Sequence, residues 1–263
     1  MHDYDLVDTH THLYDPVFDA DRVEVLERAQ KSGVSAVITV SETLADAHKN
    51  LELAERHPLL RPAAGLYPTY LDRAQAEVIG ALLRKERKKF WAIGEVGLDY
   101  WVIKEEAEQD MQREIFRMFI ELSLELDLPL NVHSRSAGRH AIALLLERQA
   151  RKVQLHAFDG KAATALPAVE TGYFFSIPPS IVRSRQKQKL VKQLPLSCLL
   201  VETDSPVLGA DRETRNEPAN VILALDAIAE LKNLAREEVR QAVFENTRRL
   251  YGNLNALVRE NSA

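Results

Sequence analysis

The chain has 263 residues, 46% hydrophobic and 28% charged, the balance of a water-soluble chain with a sizeable core, and no run approaches the ~20 apolar residues of a membrane span. A formal net charge of −5 argues against a general nucleic-acid coating protein, whose domains are strongly basic, but leaves room for an enzyme that grips a phosphate chain locally. The single cysteine, Cys198, excludes an internal disulfide and a thiolate metal cluster and reads as a small core hydrophobe. With no h-region ahead of the first strand, a cytoplasmic chain is expected.

Strand and helix patterns alternate along the sequence. The apolar run at 4–9 is a first strand leading into His10-Thr11-His12; side chains at i and i+2 share a strand face, so the two imidazoles point the same way. A helical period over 20–32 closes at Gly33, and the β-branched run 34–40 is a second strand. A helix over 43–56 stops before Pro58, and a third strand, 61–66, leaves through Tyr67-Pro68. An amphipathic helix over 74–88 leads to a strand over 90–96 that carries Glu95 at its end. One long helix, 105–126, precedes the strand 128–133, ended by His133. Then come a helix over 137–148, a strand over 153–156 ending at His156, a helix over 161–170 and a strand over 173–176. A helix over 181–193 and a strand over 197–203 complete the alternation. Two helices near 219–232 and 237–251 follow, and residues 262–263 are expected to fray.

Eight βα units in about 250 residues indicate an α/β fold: a TIM-type (β/α)8 barrel with an additional C-terminal helix, one domain over 1–263. An open doubly wound sheet would want a Gly-rich turn after strand one, where this chain has His-Thr-His.

In such a barrel the C-terminal strand ends converge on one face, and His10, His12, Glu95, His133, His156 and Asp204 all fall there. Singly, each has an ordinary reading as a surface pair, a hydrogen-bonded core histidine or a helix cap. Jointly they form a metal set. Four imidazoles and two carboxylates without thiolate suit Zn²⁺, Mn²⁺ or Fe²⁺, with Mg²⁺ where waters and substrate oxygens complete the sphere. Six ligands are too many for one tetrahedral ion with an open position and about right for two divalent ions sharing a carboxylate. Glu95, midway round the barrel, is the expected bridge. Asp8 and Glu202, in phase with ligands but one step deeper, are expected to support rather than coordinate. His2, His48, His57 and His140 fall in the tail or on helices and read as solvated or helix-end groups.

Several blocks carry a family resemblance: Asp8-Thr-His-Thr-His-Leu13, Ala92-Ile-Gly-Glu-Val-Gly-Leu-Asp99, Val132-His-Ser-Arg135, His156-Ala-Phe-Asp-Gly160, Glu202-Thr-Asp-Ser-Pro206 and Arg215-Asn-Glu-Pro218. In this order they resemble the signature blocks of TatD-type metal-dependent deoxyribonucleases across almost the whole chain, and the stretches 131–139 and 172–196 resemble one animal branch of that family. The resemblance implies an amidohydrolase-superfamily barrel that cleaves phosphodiesters in DNA. His10 and His12 match its first-metal histidines, Glu95 the shared carboxylate, His133 and His156 the second-metal pair, and Asp204 the aspartate beside the attacking water. One departure stands out: relatives often have Gly-x-His-Pro after strand three, where this chain has Gly65-Leu66-Tyr67-Pro68.

Asp204 is therefore the expected general base, with Glu95 the other catalytic carboxylate. Arg135, one strand step beyond His133, is the expected phosphate clamp. The acid-free run 180–192, with Arg183, Arg185, Lys187, Lys189 and Lys192, is either a solvated helix face or a steering surface for a polyanion. Tyr67, Tyr70, Tyr100, Trp101 and Phe158 fall on catalytic-side loops, where aromatics stack on bases or pack between loops. Three functions stay open: a two-metal DNase acting on strand ends or single strands, another metallohydrolase acting on an amide, lactone or small phosphoester, and a non-catalytic metal-binding barrel. DNA is the expected partner, with no membrane and no obligatory protein partner.

Overall fold

A computed structural model describes residues 5–252; Tyr4 at the start of the expected first strand, His2 and the expected fraying at 262–263 lie outside the described residues. Eight short runs form the strands: β1 (Leu6–Thr11), β2 (Val34–Thr39), β3 (Leu60–Ala64), β4 (Ala92–Gly97), β5 (Leu130–His133), β6 (Val153–Leu155), β7 (Phe174–Ile177) and β8 (Leu199–Val201). They pair in parallel in chain order. Every strand residue except Ser35 is buried, as parallel strands are when helices cover one face and a barrel interior the other. Helices α1 (Arg22–Lys31), α2 (Leu44–Arg56), α3 (Arg73–Lys85), α4 (Glu106–Leu126), α5 (Gly138–Glu147), α6 (Ala162–Thr171) and α7 (Arg185–Gln193) make the crossovers, and α8 (Val221–Lys232) and α9 (Arg236–Tyr251) follow β8. The result is a TIM-type barrel, nearly closed. Its seam is a Thr11–Ser205 bridge, where the Asp204 N–H donates to the His10 carbonyl at 2.9 Å and the His12 N–H to the Ser205 carbonyl at 2.8 Å. No helix among the described residues is long and apolar enough to cross a membrane.

Local chemistry sets the element ends. Thr43 and Asp46 form a reciprocal capping box that starts α2, and Asp72 caps α3. The helix expected over 181–193 is split: Pro179–Val182 forms a 3-10 turn, and α7 starts only after Ser184 accepts the Lys187 N–H at 3.3 Å. β8 is shorter than the expected 197–203 because Leu196–Cys198 is also a 3-10 turn and the Thr203 N–H is taken by Asp8 Oδ1 at 2.8 Å.

Inside the barrel the alternation of strand residues builds layers. Val7, Ala36, Ile38, Ala63, Ala92, Phe174 and Leu200 pack with Leu250 and Tyr251 of α9 as an apolar floor. One step up lie buried Asn131, Gln154, Ser176 and Glu202; one step beyond Asn131, Gln154 and Glu202 lie His133, His156 and Asp204. Close strand approach constrains this end. Gly97 has φ +143° and sits beside His133 in the ladder, where an added Cβ would stand 2.0 Å from the His133 carbonyl oxygen. Gly97→Ala is expected to cost on the order of 3 kcal/mol, since only backbone can yield. Thermal unfolding checks this: an unchanged Tm would show that β4 and β5 are free to part there.

Candidate metal centre

The β8–β1 seam places two imidazoles and a carboxylate together. His10 Nε2 and His12 Nε2 are 3.2 Å apart. Asp204 Oδ1 stands 3.4 and 3.3 Å from these nitrogens, and Glu95 Oε2 stands 3.7 and 3.5 Å from them. Donors about 2.0–2.2 Å from one tetrahedral ion lie about 3.3–3.6 Å from each other, so these separations suit a shared cation. The other Glu95 oxygen, Oε1, lies 2.7 Å from His133 Nδ1 and 2.9 Å from His156 Nε2, and those nitrogens are 3.3 Å apart. Glu95 is 1% exposed and turns one oxygen toward each histidine pair. Either triad, His10–His12–Glu95 or Glu95–His133–His156, could hold an ion. A third grouping, His10–His156–Glu202, is a poorer candidate. Both Glu202 oxygens are already accepting, Oε1 from the Ala157 N–H at 2.8 Å and Oε2 from the Ser176 hydroxyl at 2.5 Å.

Buried polar groups orient the rings. His10 Nδ1 faces Asn131 Oδ1 at 2.8 Å, so that nitrogen donates and Nε2 is left as the donor atom for an ion. His133 is turned the other way: Nε2 faces Asp99 Oδ2 at 3.1 Å, which leaves Nδ1 for the centre. The His10 and His156 rings stack at 3.8 Å, and His156 Nδ1 is a buried nitrogen without a hydrogen bond among the described residues, 3.8 Å from Glu202. Beneath them, the Tyr251 hydroxyl donates to Gln154 Oε1 at 2.6 Å, and Gln154 Nε2 donates to Ser176 Oγ at 2.8 Å. Asp8 accepts from the Thr203 N–H and hydroxyl; burial pushes its carboxyl well above the usual range, against those bonds, which suits a structural group better than a ligand. The supporting residues Asn131, Gln154, Ser176 and Asp99 were missed by sequence reasoning. The first two were legible as the same-face neighbours of His133 and His156, and Asp99 ends the motif that begins at Ala92.

Without an ion, the imidazoles and carboxylates compensate one another. Burial pulls His10 and His133 down, but the Asp204 hydrogen bond with the Glu95 charge raises His10 to about 10, and Asp99 with Glu95 raises His133 to about 9. Burial likewise opposes ionisation of Glu95, yet His156 and His133 hold it well below its usual range; for Asp204, His10 and His12 overcome burial in the same direction. Raised imidazole pKa values mean protonated histidines at neutral pH, and an ion must displace those protons. Metal loading of stripped protein is therefore expected to release protons, with affinity rising as pH rises toward those values. A pH-stat titration with Mn²⁺ checks this; uptake without proton release would contradict it.

A cavity of about 470 Å³ opens over the centre, lined by His12, Glu95, His133, His156 and Asp204 together with Glu42, Tyr67, Arg135, Asp159 and Lys187. Arg135 is exposed, its guanidinium 5.3 Å over the Trp101 ring. Tyr67 sets its ring edge against His133, with its hydroxyl 3.5 Å from Asp99 Oδ2. Two sequence expectations need correction. Phe158 is 2% exposed and packs on Phe175, in space left by Gly138 and Gly160, so it is core and not a cavity wall. Lys187 is 8% exposed and lines the cavity, whereas Arg183, Arg185, Lys189 and Lys192 are exposed. Among the other aromatics, Trp101 and Tyr70 are exposed at the rim, and Tyr100 packs against His140 and Arg113.

Comparison with known proteins places these features in a family setting. The family described as TatD related DNase matches residues 7–252. Deoxyribonuclease TATDN3 of Homo sapiens is 42% identical, over 97% of this chain and 97% of that protein. The uncharacterized metal-dependent hydrolase YabD of Bacillus subtilis is 32% identical, over 94% of this chain and 98% of its own length. The crystal structure of YjjV, a TatD homologue from Escherichia coli, superimposes with a TM-score of 0.87 at 27% identity, covering 94% of this chain and 97% of that one.

Proposed function

This chain belongs to the TatD related DNase family of metal-dependent hydrolases, and on that footing we propose that it is a two-ion deoxyribonuclease acting on strand ends or unpaired strands. The observation that carries the two-ion reading is Glu95, whose separate oxygens serve the His10–His12 and His133–His156 pairs. Divalent ions held there, Zn²⁺, Mn²⁺ or Mg²⁺, would offset the charge of the diester and lower the pKa of water to give a nucleophile near neutral pH. Asp204 takes the proton from the attacking water. Arg135, its guanidinium over the Trp101 ring, clamps phosphate oxygens at the rim.

The burial of the centre favours flexible substrate. His10 is 0% exposed and the other candidate ligands are at most 8% exposed, so a scissile phosphate has to enter the cavity, which an end or an unpaired strand does more readily than the flank of an intact duplex. Exposed Trp101 and Tyr70 offer stacking faces to bases there. The reading is tested with end-labelled single- and double-stranded DNA and metal-stripped protein re-supplied with Mg²⁺, Mn²⁺ or Zn²⁺ in turn. Cleavage only after re-supply, faster on single strands and from ends, is expected. Inertness toward DNA with every metal, alongside hydrolysis of a lactone, amide or small phosphoester, would move the chain to another metallohydrolase reaction.

The exposed end of α7 makes a separate electrostatic contribution. Lys189→Gln/Lys192→Gln is expected to raise KM for long oligonucleotides and to reduce the slope of log affinity against log salt by roughly 0.7 for each phosphate no longer neutralised. A dinucleotide should be cleaved almost as before. Equal losses on both substrates would show that these lysines act through the helix structure.

A further inference from the structure

Lys187 shares the inward face of α7 with Leu190 and Val191, at i+3 and i+4. At the catalytic end of the helix that face meets the cavity instead of the core. Nζ reaches across and donates to the carbonyl of Ala157, the residue after His156, at 2.7 Å. An ammonium has three donors. Among the described residues, this is the only hydrogen bond that Nζ makes, and it forms no ion pair within 4.0 Å. A cation more than nine-tenths buried without a counter-charge is unfavourable unless a ligand supplies one. Burial pulls this ammonium's pKa down, while the more distant charges of Glu202, Asp159 and Asp204 pull it back up and Arg183 opposes them. Arg135 is the other lysine or arginine lining the cavity among the described residues, so an oxyanion entering it has these two cations to meet.

We propose that Lys187 is a substrate-binding residue whose ammonium, held over the cavity by the Ala157 carbonyl, receives a non-bridging phosphate oxygen of the bound diester. This rests on the phosphodiesterase reading for its substrate but not for its anion. A competing role is purely structural. Ala157 adopts φ 42° with its N–H on Glu202, and Lys187 could simply brace that turn beside His156.

The test uses metal-loaded full-length protein as wild type, Lys187→Met, Lys187→Arg and, as an exposed control between α3 and β4, Lys88→Gln. Bound Mn²⁺ per chain, KM and kcat on a thymidine dinucleotide, and calorimetric affinity for inorganic phosphate are measured for each. For Lys187→Met the expected result is unchanged metal content, KM up and phosphate affinity down by about tenfold, and kcat within a few-fold. Lys187→Arg should recover most of both, and Lys88→Gln should resemble wild type. Phosphate affinity and KM that ignore Lys187→Met, or a loss of metal in step with activity, would overturn the proposal in favour of the brace. Wild type that binds phosphate through Lys187 but leaves the dinucleotide intact would count against the nuclease reading alone.

Discussion

Asp204→Asn is expected to lose at least ~10²-fold in kcat at saturating metal, with KM almost unchanged. The substitution keeps size and an acceptor oxygen while removing charge and basicity. Asp204 is locked by its N–H on the His10 carbonyl, and its φ of 56° turns the chain sharply at the mouth. Its carboxylate faces His10 and His12, whereas Glu95, His133 and His156 form the other triad without it. Loss of a base slows the chemical step whatever the metal concentration; loss of one ligand among several weakens an ion that excess metal can restore. Recovery of the Asp204→Asn rate by added Mn²⁺ or Zn²⁺ would make the residue a ligand only and send the search for the base elsewhere.

Glu95→Gln should be more damaging, with a rate below roughly one-thousandth of wild type, because charge stabilisation worth several kcal/mol depends on both ions. An amide offers one oxygen and an N–H₂ that cannot coordinate. Whichever way it turns, one histidine pair loses the Glu95 oxygen that faces it: His133 and His156 lose the carboxylate they share, or His10 and His12 keep Asp204 alone. Metal analysis at saturation is expected to find no more than one ion per chain. Two retained ions with near-normal turnover would show that the histidines and Asp204 suffice.

The barrel was legible because parallel strands buried on both faces are rich in apolar residues, and eight such short runs alternate with helical periods. The candidate ligands were legible for a related reason: barrels carry their chemistry at the C-terminal strand ends, so His133 and His156 are marked by position as well as by type. Side-chain direction on loops was not legible. Phe158 follows a strand as a rim residue does, but Gly138 and Gly160 leave space for its ring to turn inward. Lys187 was hidden by composition, since a basic run read as a block is one solvated face until its residues are placed against the apolar positions of the helix. The i+3 and i+4 spacing of Lys187 to Leu190 and Val191 is the signal that would have turned it inward. β8 was overestimated because Asp8, far away in sequence, takes the Thr203 N–H that a longer strand would have used.

The most direct measurement is a titration of metal-stripped protein with Mn²⁺ in which bound metal and cleavage of an end-labelled single strand are followed together. His10→Ala/His133→Ala, which removes one imidazole from each pair, serves as the control. Close to two ions per chain at saturation is expected, with turnover rising as the second ion binds and none from the double variant. Full turnover at a single bound ion, or full-rate cleavage by the metal-free double variant, would contradict a two-ion centre.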